Sequence, residues 1–319
     1  MMPTREQRLL RATAMMGVAM LAYLGRLPEV WAFPINLPNA RTLFGGFSLI
    51  VPEFRVTVKT DLLTDGEETT DPLDRELTVY EETLTAVYGV TGDFTVALTL
   101  PIVQKTLKFT TSTGSRAKIH SSGVGDLSLV GVYRFYRRDV PLGTTQLSFI
   151  GGLELPTGSN DRTDSDVPAL TGGTSTRIPR DLQPGSGSVD GIVGLAAFQN
   201  FDRLSFYGSL QGKINSEADD FKFGNRLHYD LAADYVLLKE RNLFLILEFN
   251  GRYEARSEEN ERDVRNSGGH SLFISPGLQY LPLPYLILET SIQLPIFEEL
   301  NATQLGTDFS IVVGLRYLF

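Results

Sequence analysis

The chain has 319 residues, a formal net charge of −9, 30 glycines, 19 phenylalanines, 12 tyrosines and no cysteine. So acidic a chain is a poor match for nucleic acid, and the missing cysteine excludes thiol nucleophiles, disulfides and thiolate-bound zinc. Its 42% hydrophobic content looks ordinary, as an alternating pattern does when averaged.

Residues 1–32 read as an export signal. Arg5, Arg8 and Arg11 form a positive start, Ala12 to Leu24 an apolar stretch of 13 residues with one Thr, and Val30-Trp31-Ala32 places small residues at −3 and −1 of a cleavage after Ala32. The stretch is too short to span a bilayer, for which a helix needs ~20 residues. Removing it leaves 25 basic against 36 acidic residues. Glycine and proline aside, the longest later fully apolar run is about five residues, near Leu243-Phe244-Leu245-Ile246-Leu247. In a membrane the mature chain must therefore be a closed barrel, because an open sheet leaves backbone groups unsatisfied in hydrocarbon.

Residues 33–46 form a short N-terminal segment, expected in the periplasm and able to plug a barrel from below. Over 47–319 the pattern predicts twelve antiparallel strands, at 47–60, 75–89, 93–108, 123–137, 143–156, 187–200, 204–215, 222–238, 242–256, 268–281, 284–297 and 307–319. Short turns alternate with longer polar stretches, the latter at 61–74, 109–122, 157–186, 216–221, 257–267 and 298–306. That is the arrangement of an up-and-down outer-membrane barrel, with short periplasmic turns and long external loops.

Within strands the period is two. In 242–256, Leu243, Leu245, Leu247, Phe249 and Tyr253 oppose Glu248, Asn250, Arg252 and Glu254. In 222–238, Leu227, Leu231 and Tyr235 oppose Arg226, Asp230 and Asp234. A period of two puts the sets on opposite faces, and an outer-membrane barrel turns the apolar set to lipid. The lumen-lining candidates are Arg134, Glu154, Asp190, Lys213, Arg226, Asp230, Glu248, Arg252, Glu289 and Arg316. These charges either line a water-filled path or pair and fill the interior; twelve strands lie between filled and open barrels. On this reading Leu247→Arg impairs insertion and Glu248→Ala is mild. Aromatics gather near the short turns (Tyr88, Phe94, Phe135, Tyr136, Phe198, Phe201, Tyr235, Phe244, Tyr280, Tyr285) and predict a periplasmic girdle. The chain end, IVVGLRYLF, alternates back from a terminal aromatic; Leu315, Tyr317 and Phe319 resemble the signature read by the barrel-assembly machinery.

Three further stretches, GVGDLSLVGVYRF (123–135), GLELPTGSND (152–161) and PGSGSVDGIVGLAAF (184–198), resemble the Gly-x-Gly-Asp, Leu-Pro-Thr-Gly and Gly-Ser-x-Asp motifs of a family of outer-membrane proteins named for the meta-pathway of phenol degradation. The resemblance covers about a quarter of the chain. It implies a transport role, no particular substrate and no catalytic residues. From the residues themselves, Gly123, Gly125, Gly185 and Gly187 are expected at the outer rim, with Asp126 and Asp190 hydrogen-bonding there rather than binding solute.

A lipase-like pair needs Ser and His on one lipid-facing side; His120 and Ser122 have the spacing, but the parity set by Leu127 and Leu129 turns them inward, unless they lie in the loop. Asn160, Asp161, Asp164 and Asp166 crowd the longest loop without the glycine and glutamate of a calcium loop, so no metal and no cofactor is expected. That loop is read as solvated or facing lipopolysaccharide, or as a constriction folded into the lumen. The sequence thus points to an exported outer-membrane barrel passing small molecules, apolar or aromatic ones among them. The alternative is a structural or adhesive barrel with a closed lumen and functional loops. Lipid, lipopolysaccharide, the assembly machinery and a small solute are the expected partners.

Overall fold

In the computed structural model, described for residues 32–238 and 242–319, one antiparallel sheet closes on itself. Its strands are β1 (Ser48–Lys59), β2 (Glu76–Gly89), β3 (Phe94–Thr110), β4 (Arg116–Val124), β5 (Leu127–Val140), β6 (Gly143–Leu155), β7 (Asp190–Phe201), β8 (Leu204–Ile214), β9 (Arg226–Val236), β10 (Leu243–Glu254), β11 (Gly269–Leu283), β12 (Leu286–Leu300) and β13 (Phe309–Leu318). β4 and β5 follow one another along β3 as a single stave, so the barrel has twelve staves. It closes where β1 pairs with β13, Phe54 opposite Val313. Phe319 and Ser48 exchange backbone hydrogen bonds of 2.9 Å at the end of that closure.

Alternation sorts the faces as a lipid-facing wall requires. Leu245, Leu247, Phe249 and Tyr253 of β10 are exposed, whereas Glu248 and Asn250 between them are buried. The same inversion holds on β8, where Phe206, Leu210 and Ile214 face out and Ser205 and Tyr207 face in. An apolar exterior around a polar, hydrogen-bonded interior is what hydrocarbon solvent selects. Tyr88, Phe135, Tyr136, Phe201, Tyr235, Tyr280, Tyr317 and Phe319 stand exposed near the short-turn end. Phe198 and Phe244, expected in that girdle, point inward instead and are almost wholly buried, as the parity of their strands dictates.

The largest departure from the sequence expectation lies in the fourth stave. Residues 109–122 do not form a loop: β3 runs on to Thr110, turns at 111–115, and β4 pairs back along it, Lys108 opposite Lys118. Gly125 and Asp126 then break the stave. Beyond the break the facing changes. In β4 the odd residues Ile119 and Ser121 are buried, while in β5 the odd residues Leu129 and Tyr133 are exposed. His120 and Ser122 therefore face outward, not inward as the parity of β5 implied. They form no dyad, since the His120 ring nitrogen lies 3.1 Å from Thr106 Oγ1 and no hydrogen bond joins His120 to Ser122 among the described residues.

Candidate functional site: a doubly filled lumen and a break in the wall

The lower lumen is filled by the chain's own N-terminal segment. Residues 32–46 rise from the short-turn end, cross the barrel and descend to β1. Glu248, 0% exposed on the inner face of β10, is the anchor. Its carboxylate accepts from Ile35 N at 2.6 Å, Asn36 N at 3.1 Å and Asn36 Nδ2 at 2.7 Å. Asn36 also reaches Ser291 Oγ at 3.0 Å and accepts from Arg55 at 3.2 Å. On the descending arm Ser148 donates to the Ala40 carbonyl at 2.5 Å and Leu43 N to Thr95 Oγ1 at 2.8 Å. Apolar contacts complete the seal. Ala32 and Ile35 pack with Val236, Phe244, Ile246, Leu281, Ile287 and Val312, and Leu37 and Ala40 with Ile150, Ala196, Phe198 and Ala232. Phe198 and Phe244 point inward to meet this segment. The sequence allowed a plug here, but a 15-residue stretch without periodicity does not name its partners, most of which lie far along the chain, such as Glu248, Gln279 and Ser148.

Above the segment lies a belt of charge. Lys213 contacts both Glu154 and Asp190, the latter at 3.1 Å. Arg226 pairs with Glu254 at 3.1 Å, and Asp230 accepts from Ser209 at 2.8 Å and Asn250 at 3.1 Å. Arg252 lies 5.9 Å from the centroid of the Phe273 ring. Lower down, Glu289 pairs with Arg316 at 2.9 Å. Arg134 sits at the short-turn rim against Asp93, 2.7 Å away. Nine of the ten candidate charges thus contact a neighbour across or along the wall, and Glu248 contacts the segment.

The upper lumen is covered by the loop of residues 156–189, which carries a short helix, α1 (Val167–Thr171). Val167, Ile178 and Leu182 pack on Leu107, Phe109 and Ile119 in an apolar cluster inside β3 and β4. Lys105 pins the loop by donating to the carbonyls of Asp181 and Gln183 at 2.8 and 2.9 Å. Arg180 ties it to the next hairpin through Asp219 at 3.4 Å and holds that carboxyl below its ordinary pKa. Asp164 and Asp166, two of the acids of the longest loop, accept the backbone N–H groups of His120 at 3.0 Å and Lys118 at 3.2 Å. They cap the edge of β4, which pairs with β3 alone; an uncapped edge in a membrane wall would leave donors unsatisfied.

That edge marks an interruption of the wall. β6 pairs with β5 only as far as Leu127, and among the described residues no strand pairing joins β4 to β6. The loop closes the gap around Asp126. Its carboxylate accepts from Gly158 N at 2.9 Å and from Ser186 N at 2.6 Å and Ser186 Oγ at 2.7 Å. Thr157 Oγ1 donates to the Gly125 carbonyl at 3.0 Å and accepts from Leu127 N at 2.9 Å. Backbones meet here: a Cβ on Gly158 would lie 2.8 Å from Gly185 and 2.9 Å from Gly125. Only glycine permits so close a crossing. The glycines lie at the ends of β5, β6 and β7, and Gly125 N donates to the carbonyl of Pro101, midway along β3, at 2.9 Å. Asp190 keeps the hydrogen-bonding place expected of it, accepting from Ser188 Oγ at 2.8 Å and Ser216 N at 3.0 Å.

A family profile described as "Putative MetA-pathway of phenol degradation" matches residues 49–304. The chain belongs to that family. Its Gly-x-Gly-Asp, Leu-Pro-Thr-Gly and Gly-Ser motifs are the three strands of backbone that meet at Asp126. No curated protein matches the sequence. Among solved structures an outer membrane channel from Pseudomonas putida F1 is similar at a TM-score of 0.68 and 14% identity, over 90% of this chain and 100% of that one. The translocator domain of the autotransporter NalP from Neisseria meningitidis follows at a TM-score of 0.44 and 12% identity, over 96% of this chain and 97% of that one. The similarity to the first establishes the barrel fold. The fold is that of an outer-membrane β-barrel.

Proposed function

We propose that this protein carries small, neutral, apolar molecules, aromatic ones among them, across the outer face of the outer membrane of a Gram-negative cell. One observation carries the reading: an apolar cluster sits directly behind an interruption of the wall, above a lumen closed by the N-terminal segment and a belt of charge. An ion or sugar descending the barrel meets the segment. An apolar solute meets the charges as a desolvation barrier, but finds Leu107, Phe109, Ile119, Val167, Ile178 and Leu182 on the outer side of them. From there the shortest path to hydrocarbon runs between β4 and β6, where the loop, not the sheet, forms the wall. Movement of the loop about Asp126 opens that path. The family's association with phenol degradation and the channel fold of the Pseudomonas putida protein support this reading.

The test is uptake of a radiolabelled aromatic hydrocarbon by cells with and without the protein. Cells carrying it are expected to take up the compound faster. Lys118→Cys with Asp166→Cys, joined by a short bifunctional reagent, should abolish the gain; a cross-link between Asn36→Cys and Ser291→Cys, which holds only the segment, should leave it. Uptake blocked by the second and spared by the first would refute the lateral path and place transport through the lumen.

A further inference from the structure

The lower lumen holds more carboxylates than cations. Among the described residues, Glu53, Asp234, Glu248 and Glu289 stand there against the guanidiniums of Arg41, Arg55 and Arg316. Buried charges are tolerated when paired and hydrogen-bonded. At the centre of this set stands Phe33. Two guanidiniums lie over its ring, Arg41 at 4.1 Å and Arg316 at 5.1 Å from the centroid, both within cation–π reach. Arg316 also donates to the Pro34 carbonyl at 2.8 Å.

The backbone nitrogen of Phe33 has an acceptor built for it. Gln279 Oε1, on a fully buried side chain, lies 2.9 Å away, and the other end of that amide donates to Glu289 Oε2 at 2.6 Å. The Glu289 contact thus fixes the amide with its oxygen toward Phe33. On the other side the Tyr207 hydroxyl lies 2.7 Å from the Ala32 carbonyl oxygen and 2.6 Å from Asp234 Oδ2, all three groups buried. One phenolic proton cannot satisfy two acceptors. The Ala32 carbonyl is directly bonded to the Phe33 nitrogen. If the bond between them is cut, an acceptor disappears and N–H protons take its place. Tyr207 then donates to Asp234 alone, and its own oxygen becomes an acceptor.

We propose that the Ala32–Phe33 peptide bond is hydrolysed and that the resulting α-ammonium of Phe33 is the fourth cation of the lower lumen, received by Gln279 and Tyr207 with Glu289 and Asp234 behind them. Water supplies the balance: its hydroxyl completes the Ala32 carboxyl, its proton goes to the Phe33 amine, and the amine is protonated at neutral pH. Val30 and Ala32 offer the small −3 and −1 residues that a leader peptidase accepts. The N terminus made by processing is then a structural part, and the segment docks fully only in the processed chain. This goes beyond the transport reading and does not rest on it.

The test uses the barrel extracted from outer membranes. Its intact mass and terminal sequence should place the first residue at Phe33. Treated when folded with an N-hydroxysuccinimide acetate, the Phe33 amine should react at least tenfold more slowly than in the unfolded chain, while the half-exposed Lys108 reacts in both. Gln279→Leu and Asp234→Asn should each raise the folded-state rate of the Phe33 amine severalfold. A different first residue, or equal reactivity folded and unfolded, would overturn the proposal, and so would well-folded variants with unchanged protection. If a variant fails to fold, the wild-type comparison still decides.

Discussion

Replacing Glu248 by alanine tests the N-terminal segment directly. Three donors, Ile35 N, Asn36 N and Asn36 Nδ2, converge on this carboxylate at 2.6 to 3.1 Å, where the side chain is wholly buried. A hydrogen bond to a charged group contributes about 1.5–3 kcal/mol, and an orphaned buried donor costs about 1–3 kcal/mol. Water entering the vacated space recovers part of this, so a net loss of about 3–6 kcal/mol in docking is a fair magnitude. At 1.4 kcal/mol per decade that shifts the docked population by about a hundredfold to ten-thousandfold. The barrel itself should stay folded, since the alanine removes a buried charge that Asp230 opposes. Single-channel recording in a planar bilayer should therefore show a larger and more frequent open current for Glu248→Ala than for the native protein. Proteolysis should cut within 33–46 in the variant alone. A variant with native conductance and a protected segment would refute the anchoring argument. From sequence alone this substitution looked mild; contact with a segment more than 200 residues away reverses that expectation.

Two other outcomes concern the barrel wall. Leu247→Arg puts a cation on the lipid face of β10, where Leu247 is 40% exposed. It should lower folding stability in lipid vesicles by about 2–4 kcal/mol if the site is near the midplane, read as a shift in the urea midpoint, and tolerance of it would refute the facing of β10. Deleting Phe319 removes the backbone exchange with Ser48 and an aromatic contact with Tyr317 at 6.1 Å. The amount of assembled, heat-modifiable protein should fall, and an unchanged amount would remove the closing role given to the last residue.

Much of the wall was legible because one physical rule, apolar to lipid and polar to lumen with a period of two, acts on every strand. Leu245, Leu247 and Phe249 announce the facing of β10 without help from any distant residue. The rule fails at Gly125–Asp126, where a two-residue break resets parity, and it misplaced His120 and Ser122 for that reason. It also misread 109–122, since Ser115 to Ser122 carry too few apolar residues to mark a strand. The interior was less legible. The charged side chains were recognisable as an inward set, but Phe198 and Phe244 were drawn toward a girdle by their type when their strand positions turn them inward. Residues 33–46 carry no period at all, and their place is determined by Glu248, Gln279 and Thr95.

The contact between Gly158 and Gly185 has a consequence for how such a protein diversifies. Two points of the chain separated by a long excursion touch, so the excursion begins and ends at the same place on the wall. Loops whose ends meet are compact units, and this one can be exchanged for another of different length or chemistry without altering a single strand register. The glycines fix the socket, and the residues between them form a replaceable cartridge. Selection for a new solute can act on that cartridge while the barrel, its lipid face and its closing strand remain as they are.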